Sequence, residues 1–425
     1  TNTNLLKEKI LNKEITITPL FIYYLFDDPK LQKINSVNFI KNEFKNYKKI
    51  TLNKKNKLNK KIKIGYFCGD FHNHPVLHIM SGIFKNHNKN NFEIYAFSHG
   101  PNKKDNIWRN DVMECFKKFH DINEMTDYDI VKLVNSENID IAVNLTGLTE
   151  NAKTSIFYNR VAPIQINYLG FTGTIGLESI DYIIADEITI PKDQKKYYTE
   201  KVCYLPTCYI PHADNIEIKY SNEKFSRSDF GLPENKIVFC AFHNPHKINP
   251  QIFDCWVNII KKVEDSVLWI KSEDEKAKDN LINEAKKRGL DPKRVIFAKG
   301  TNNVNEHIER LKLADILLDT YPYASHSTIY DYFKAYLPAV IRQGNSFPSR
   351  VASSIYSSVG LSELVAKNNL DYEKIAVDLA SNKTKLSKVR NKIKTEIKNN
   401  YVFDAKKFTA NLEKIYSEII KKKIN

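Results

Sequence analysis

The residues whose types can do chemistry lie in short loops, each directly behind a run of β-branched and aromatic residues. The densest loop reads Asp319-Thr320-Tyr321-Pro322-Tyr323-Ala324-Ser325-His326-Ser327-Thr328-Ile329-Tyr330-Asp331. The pattern predicts a strand over Ile316–Asp319, a turn, and a helix opening near His326. A helix start offers unbonded N–H groups and the positive end of the helix dipole, which suits a diphosphate. Ser327 and Thr328 can add hydroxyl donors. Asp331, one turn on, has the polarity to accept from ribose hydroxyls. The same residues also read as an ordinary hydroxyl cap in a polar loop.

A second loop, His243-Asn244-Pro245-His246-Lys247-Ile248-Asn249-Pro250, follows the run Ile237–Phe242. Lys247 there can neutralise charge on a leaving diphosphate, or can be a surface lysine. A third, Gly69-Asp70-Phe71-His72-Asn73-His74-Pro75-Val76-Leu77-His78, follows the first strand run. His72, His74 and His78 have no acid or Cys at metal-ligand spacing, so a metal site is not favoured. A His that orients or deprotonates a hydroxyl is a second reading. The plain one is a helix cap at Asn73 with Pro75 in the first turn. A fourth, Tyr168-Leu169-Gly170-Phe171-Thr172-Gly173-Thr174-Ile175-Gly176, carries glycines that let backbone approach a sugar or phosphate. It fits neither the dinucleotide fingerprint nor the P-loop. Asn144-Leu145-Thr146-Gly147 also ends a strand run. Asp127-Tyr128-Asp129 matches the metal-holding Asp-x-Asp string but precedes a helix pattern, so it reads as a helix N-terminus.

The elements that must position these loops alternate short β-rich runs with longer amphipathic ones, the signal for βα units and parallel sheets. In the first half the runs are Ile62–Cys68, Phe92–Ser98, Ile139–Leu145, Ile164–Leu169, Tyr182–Ala185 and Val202–Leu205. In the second they are Ile237–Phe242, Val267–Ile270, Val295–Ala298, Ile316–Asp319 and Ala339–Ile341. A helix is expected over Glu275–Arg288, stopped by Gly289. The polar stretch Ser221–Leu232 marks the lobe boundary. The expected division is residues 1–61 as a helical entry segment with the basic linker Lys54-Lys55-Asn56-Lys57, 62–220 and 221–370 as two α/β lobes, and 371–425 as charged C-terminal helices. Two such sheets in series would face a cleft, with ligands at the carboxyl ends of the strands.

At 425 residues with 42% hydrophobic content, the chain is long enough for two cores. No apolar run reaches the ~20 residues of a membrane span, and Thr1-Asn2-Thr3-Asn4 does not open a signal peptide. The six scattered cysteines contain no C-x-x-C and read as free thiols of a reducing, cytoplasmic setting. The net charge of +15 comes from lysines spread along the whole chain, which reads as a solvated surface rather than a nucleic-acid face.

Taken in order, these segments resemble the catalytic region of the O-GlcNAc transferase and SPINDLY-like family, from about Ile62 to Leu364 and more weakly over Thr18–Phe44. The resemblance rests on Asp70-Phe71 with His74-Pro75, on Val143-Asn144 with Gly147 and Thr149, and on Ala162–Gln165 followed by Leu169-Gly170, Gly173 and Thr174. It continues through Asp181–Asp186, the Lys247–Pro250 loop, His326 with Thr328 and Asp331, and Ser349–Ser354. Thr172 stands where the family usually has Pro, and Val304 where animal members carry Lys.

The resemblance implies a GT-B type glycosyltransferase: two Rossmann-like lobes, inverting, needing no metal and no cofactor beyond its UDP-sugar donor. It implies an acceptor-side lobe over 62–220 and a nucleotide-sugar lobe over 221–370. The donor contacts it implies are Gly170, Thr174, Asn244, Lys247, His307, His326, Ser327, Thr328 and Asp331. Lys247 serves the diphosphate, Asp331 the ribose, and His307 lies by the base. His74 lies near the sugar and the acceptor hydroxyl, whose proton goes to this His or to a donor phosphate oxygen. The implied reaction moves GlcNAc from UDP-GlcNAc onto Ser or Thr hydroxyls of an acceptor protein. UDP-glucose or GDP-fucose as donor, a non-protein acceptor, and a catalytically inert binding relative are the alternatives. Neither nucleic acid nor membrane is an expected partner. The tetratricopeptide repeats that usually precede this region are not among these residues.

Overall fold

The computed structural model describes residues 3–52, 60–101, 107–212, 225–301 and 303–424. They form two compact units: Thr1–Asp214 with Tyr401–Asn425, and Asn215–Asn400. The expected boundary stretch 221–232 begins outside the described residues, as does the basic run 54–57.

The first unit carries seven strands: β1 (Ile62–Cys68), β2 (Phe92–Ser98), β3 (Lys118–Asp121), β4 (Ile141–Asn144), β5 (Ile164–Asn167), β6 (Tyr182–Ala185) and β7 (Lys201–Tyr204). They pair in parallel in the order β3-β2-β1-β4-β5-β6-β7. The central strands are mostly apolar because helices cover both faces, and β4 and β5 are buried at every residue, including the polar Asn144, Gln165 and Asn167. Strand β3 was not expected. Its Lys-Phe-His-Asp sequence lies on the sheet edge, half exposed, so it never needed the apolar signature of a buried strand.

The second unit repeats the plan with β8 (Ile237–Ala241), β9 (Ser266–Lys271), β10 (Val295–Ala298), β11 (Ile316–Leu318), β12 (Ala339–Arg342) and β13 (Val365–Ala366), in the order β10-β9-β8-β11-β12-β13. The two-residue β13 is too short to leave a sequence pattern. Trp256, on the helix Pro250–Lys262, and Trp269, on β9, are both fully buried in this core. The helix Glu275–Lys287 starts on an Asp274 cap and is followed by Gly289 at φ +68°, which matches the expected helix.

In both units the strand order reverses between the first strand and the fourth, β1 against β4 and β8 against β11. Chain leaving two such neighbours departs in opposite directions and opens a crevice beyond their carboxyl ends. Loops 69–74 and 144–149 therefore share one crevice in the first unit. Loops 242–249 and 319–328 share another in the second.

The segment 371–425 was expected as one helical tail, but the structure divides it. Helices Asn369–Ser381 and Lys383–Asn399 belong to the second unit, and Ala405–Ile424 belongs to the first. The reason is an apolar stripe, Phe408, Leu412, Tyr416 and Ile419, that is buried against the helix Pro75–Asn86. Glu413 anchors it by accepting from His87 Nδ1 at 2.9 Å. Lys421, Lys422 and Lys423 are exposed. Likewise the helices Thr3–Leu11, Pro19–Leu25 and Pro29–Glu43 are part of the first unit rather than a separate entry segment. Tyr23 is buried against Phe171, with ring centroids 5.3 Å apart.

All six cysteines are free, and Cys68, Cys208, Cys240 and Cys255 are buried. Among the described residues no helix is long and apolar enough to cross a membrane.

Candidate active site

In the second unit, Asn244 ends β8's loop and caps a single 3-10 turn, Pro245–Lys247. Asn249 then caps the helix Pro250–Lys262 by accepting from Ile252 N at 2.9 Å, with Pro250 pre-set in its first turn. This tight connection leaves Lys247 half-buried and aimed at the neighbouring loop. Its Nζ donates to the Ala324 carbonyl at 3.2 Å and lies 4.3 Å from the centroid of the Tyr323 ring. The Asn249 amide donates to Tyr321 O at 2.6 Å, so two bonds join the loops behind β8 and β11. Burial pushes the Lys247 ammonium down to about 8, and the nearby Asp319 charge opposes that fall.

The loop behind β11 is a turn rather than a helix start. The helix was expected to open near His326, but it runs only over Ile329–Lys334, with Thr328 as its cap. The amide N–H groups of His326, Ser327 and Thr328 find no acceptor among the described residues. They are the anion-binding feature here, since a helix of six residues has little dipole to offer. His326 stacks on Tyr323 at 4.6 Å, and its Nε2 donates to Pro348 O at 3.1 Å. That bond fixes its tautomer and leaves Nδ1 as an acceptor. Burial, then the charge of Lys247, pushes His326 down to about 3, so it is neutral. Asp331 sits in the short helix, where burial raises its carboxyl to about 6. Ser327 is half-buried and Thr328 exposed.

His307 lies on the helix Val304–Leu311, 6.1 Å from the Phe242 ring at the end of β8. Its Nδ1 accepts from Arg310 at 2.9 Å, and burial with that cation beside it holds the ring neutral, down to about 3. Asn244, Lys247, His307, His326, Ser327, Thr328 and Asp331 thus all lie in this one unit.

Sequence reading passed over three residues of this crevice. Tyr323 supplies the aromatic ring that both Lys247 and His326 meet. His243 donates to Leu318 O at 3.0 Å, and the fully buried Asp319 accepts from Ser325. A charged or aromatic residue directly behind an apolar strand run was the available signal.

In the first unit, the helix Pro75–Asn86 is capped by His74 and not by Asn73. His74 Nδ1 accepts from Val76 N at 3.3 Å, and Asn73 instead bonds His78. Asp70 Oδ2 lies 3.7 Å from the same nitrogen, and burial raises its carboxyl to about 6.

Two expected donor contacts are corrected. A Cβ on Gly170 would lie 2.0 Å from Leu145 O, so the space beside that glycine is taken by the backbone just beyond β4 rather than by a ligand. The Thr174 hydroxyl is buried, donates to Glu200 at 2.7 Å and meets Thr199 Oγ1 at 2.8 Å, which leaves no capacity for a sugar. Glycine and threonine types alone did not reveal these internal partners. The Asp-x-Asp string lies at a helix N-terminus, as expected. Thr126 caps Asp129 N, and Asp127 accepts from Tyr47 at 2.6 Å and Ser155 at 3.0 Å. No group of three or more His, Cys, Asp or Glu side chains able to hold a metal occurs among the described residues.

A family model, glycosyl transferase family 41, matches residues 31–224 and 216–412. The chain is 35% identical over 362 residues to the probable UDP-N-acetylglucosamine–peptide N-acetylglucosaminyltransferase SEC of Arabidopsis thaliana, covering 84% of this chain and 37% of that protein. It is 25% identical over 472 residues to the UDP-N-acetylglucosamine–peptide N-acetylglucosaminyltransferase of Caenorhabditis elegans, covering 85% and 41%. The chain thus spans well under half the length of these relatives. A mutant O-GlcNAc transferase of Thermobaculum terrenum superposes with a TM-score of 0.84 at 22% identity, over 93% of this chain and 75% of that one. A glycosyltransferase from Rickettsia africae superposes with a TM-score of 0.56 at 10% identity, over 85% and 100%, so the two-sheet fold is shared well beyond recognisable sequence. With both parallel sheets inside the matched residues, the chain belongs to glycosyl transferase family 41.

Proposed function

We propose that this chain is an inverting, metal-independent protein O-glycosyltransferase that moves GlcNAc from UDP-GlcNAc onto Ser or Thr hydroxyls. The observation that carries the reading is the Lys247 ammonium. It is held at the reversal of the second sheet, over the Tyr323 ring, in the crevice that also carries three amide N–H groups without acceptors among the described residues. A fixed cation and converging N–H donors are what a departing diphosphate needs, and they can serve it without a divalent ion. Asn244, Ser327 and Thr328 complete the polar rim, Asp331 accepts from the ribose, and His307 lies by the base. The relatives' names support the donor and the peptide acceptor.

In the reaction, the acceptor oxygen bonds to the sugar C1 as the C1–O bond to the β-phosphate breaks. The electron pair leaves with UDP. The hydroxyl proton goes to a donor phosphate oxygen in preference to His74. A base needs a free lone pair, and His74 Nδ1 is accepting from Val76 N, so Nε2 carries the ring's proton. His74 then orients the hydroxyl. The free thiols support a reducing compartment, the cytoplasm.

The test is binding of UDP, UDP-GlcNAc, UDP-glucose and GDP by thermal shift, each with and without EDTA, followed by transfer of labelled sugar to a Ser/Thr peptide library. Stabilisation by UDP and UDP-GlcNAc that EDTA leaves unchanged, with label on hydroxyls, is expected. Stabilisation by GDP alone would move the donor to GDP-fucose. Loss of transfer in EDTA would overturn the metal-free reading.

A further inference from the structure

Asp319 is wholly buried, yet it carries an acidic side chain at the end of the strand that leads into the candidate phosphate loop. Its carboxylate accepts from Ser325 N at 3.0 and 3.2 Å and from Ser325 Oγ at 2.7 Å. These bonds close the six-residue loop onto its own root. Its backbone is pinned as well: Tyr372 OH donates to Asp319 O at 2.9 Å, and Trp256 Nε1 donates to Tyr372 OH at 3.1 Å. Thr320 braces the loop from within by donating to Tyr323 O at 2.8 Å. The loop so fixed presents Tyr323, Ala324 O and the His326–Thr328 amides. Ser325 spends its own amide on Asp319, which leaves the next three amides for a ligand.

We propose that Asp319 is the positioning residue of this site, shaping the 319–328 loop through Ser325 and supplying a buried counter-charge behind Ala324, the residue whose carbonyl Lys247 Nζ bonds. The role rests on the nucleotide-sugar reading of the site, but its two parts are measurable without a sugar. The groups facing Asp319 are Lys247, His243 at 3.8 Å, and the phenols of Tyr332, Tyr356 and Tyr372. Those facing Lys247 are Asp319, His243, His246, His326 and the Tyr323 ring. The histidines are all pushed down, by burial first and by Lys247 second. His243 and His326, both at about 3, are neutral, and the phenols are pushed up. Asp319 is therefore the one anion acting on Lys247 among these groups. Burial raises its carboxyl to about 6, still below neutrality.

Asp319→Asn keeps the shape and removes the charge, while Ser325→Ala keeps the charge and removes one hydrogen bond to it. The Lys247 titration is read by NMR of 13C-methylated lysines, its signal identified by its absence in Lys247→Arg. UDP affinity is read by calorimetry from pH 6 to 9. In Asp319→Asn the Lys247 titration and the basic limb of UDP binding should both move down by at least about 1 in pH. In Ser325→Ala the titration should stay and UDP affinity should fall about tenfold at every pH, the scale of one hydrogen bond to a charged group. An unmoved Lys247 titration in Asp319→Asn overturns the counter-charge. Full UDP affinity in Ser325→Ala overturns the loop-shaping part, and that variant also guards against Asp319→Asn failing to fold. Absence of UDP binding by the unaltered chain would remove the nucleotide reading, and the counter-charge would then stand or fall on the titration alone.

Discussion

Lys247 lies over the ring of Tyr323, its Nζ 4.3 Å from the centroid, and His326 stacks on the same ring with centroids 4.6 Å apart. One aromatic side chain thus aligns the cation and the imidazole that close the candidate diphosphate site. The cation is held partly out of water with a single carbonyl as its hydrogen-bond partner among the described residues, which leaves bonding capacity for an anion.

That position has a cost in the empty protein. A lysine lowered to about 8 in the fold, well below the ordinary lysine range, destabilises the folded state fully below about pH 8 and progressively less as pH rises from there to its unfolded value. Lys247→Met should therefore raise the melting temperature in the absence of ligand. It should also abolish stabilisation by UDP and reduce turnover by about 10²–10³-fold. A variant that still gains stability from UDP would remove Lys247 from the diphosphate.

Donor affinity should be bell-shaped in pH. Above about 8 Lys247 loses its proton, and affinity falls by up to tenfold per pH unit. Below about 6 Asp331 and Asp319 become protonated, weakening the ribose contact and the counter-charge. His243, His307 and His326 are already neutral throughout, at about 3. Calorimetric titration with UDP-GlcNAc between pH 5 and 9 checks this, and a limb near 6.5 would instead point to an ordinary titrating histidine.

His74 separates capping from catalysis. His74→Ala should cost about 1 kcal/mol of stability through loss of the cap. His74→Asn can restore the cap without an imidazole. Turnover in His74→Asn within about tenfold of the unaltered chain fits a donor phosphate as the base, whereas a loss of 10² or more at unchanged stability would make the imidazole the base.

The Gly173 notch holds the N-terminal helices against the first sheet. A Cβ there would meet the Tyr23 hydroxyl at 1.8 Å. Gly173→Ala should destabilise the chain by about 1–3 kcal/mol, as overpacking does. Tyr23→Leu in the same chain should recover part of that loss. Urea denaturation measures both, and an unchanged midpoint in Gly173→Ala would refute the close approach.

The strand runs, the two-sheet plan and the loops behind Ile316–Leu318 and Ile237–Ala241 were legible in the sequence, because buried parallel strands must be apolar and their ends must carry the polar chemistry. Lys247 and His326 could be placed in those loops for the same reason, while Asp331 lies on the short helix beyond. Partnership was not legible. Thr174 looks like a ligand hydroxyl until Glu200, 26 residues away, is seen to take it. Gly170 looks like room for a sugar until Leu145 O is seen to fill that room. His74 looks like a free base until its lone pair is found on Val76 N. Asp319 gave no sign that it holds Ser325, the neighbour of the Ala324 carbonyl to which Lys247 donates. The edge strand β3 and the return of the helix Ala405–Ile424 to the first unit were equally silent. Residue type and spacing decide which groups can stand at a strand's end. Only the tertiary structure decides which already have a partner, because hydrogen bonds and close packing are contacts between segments distant in sequence.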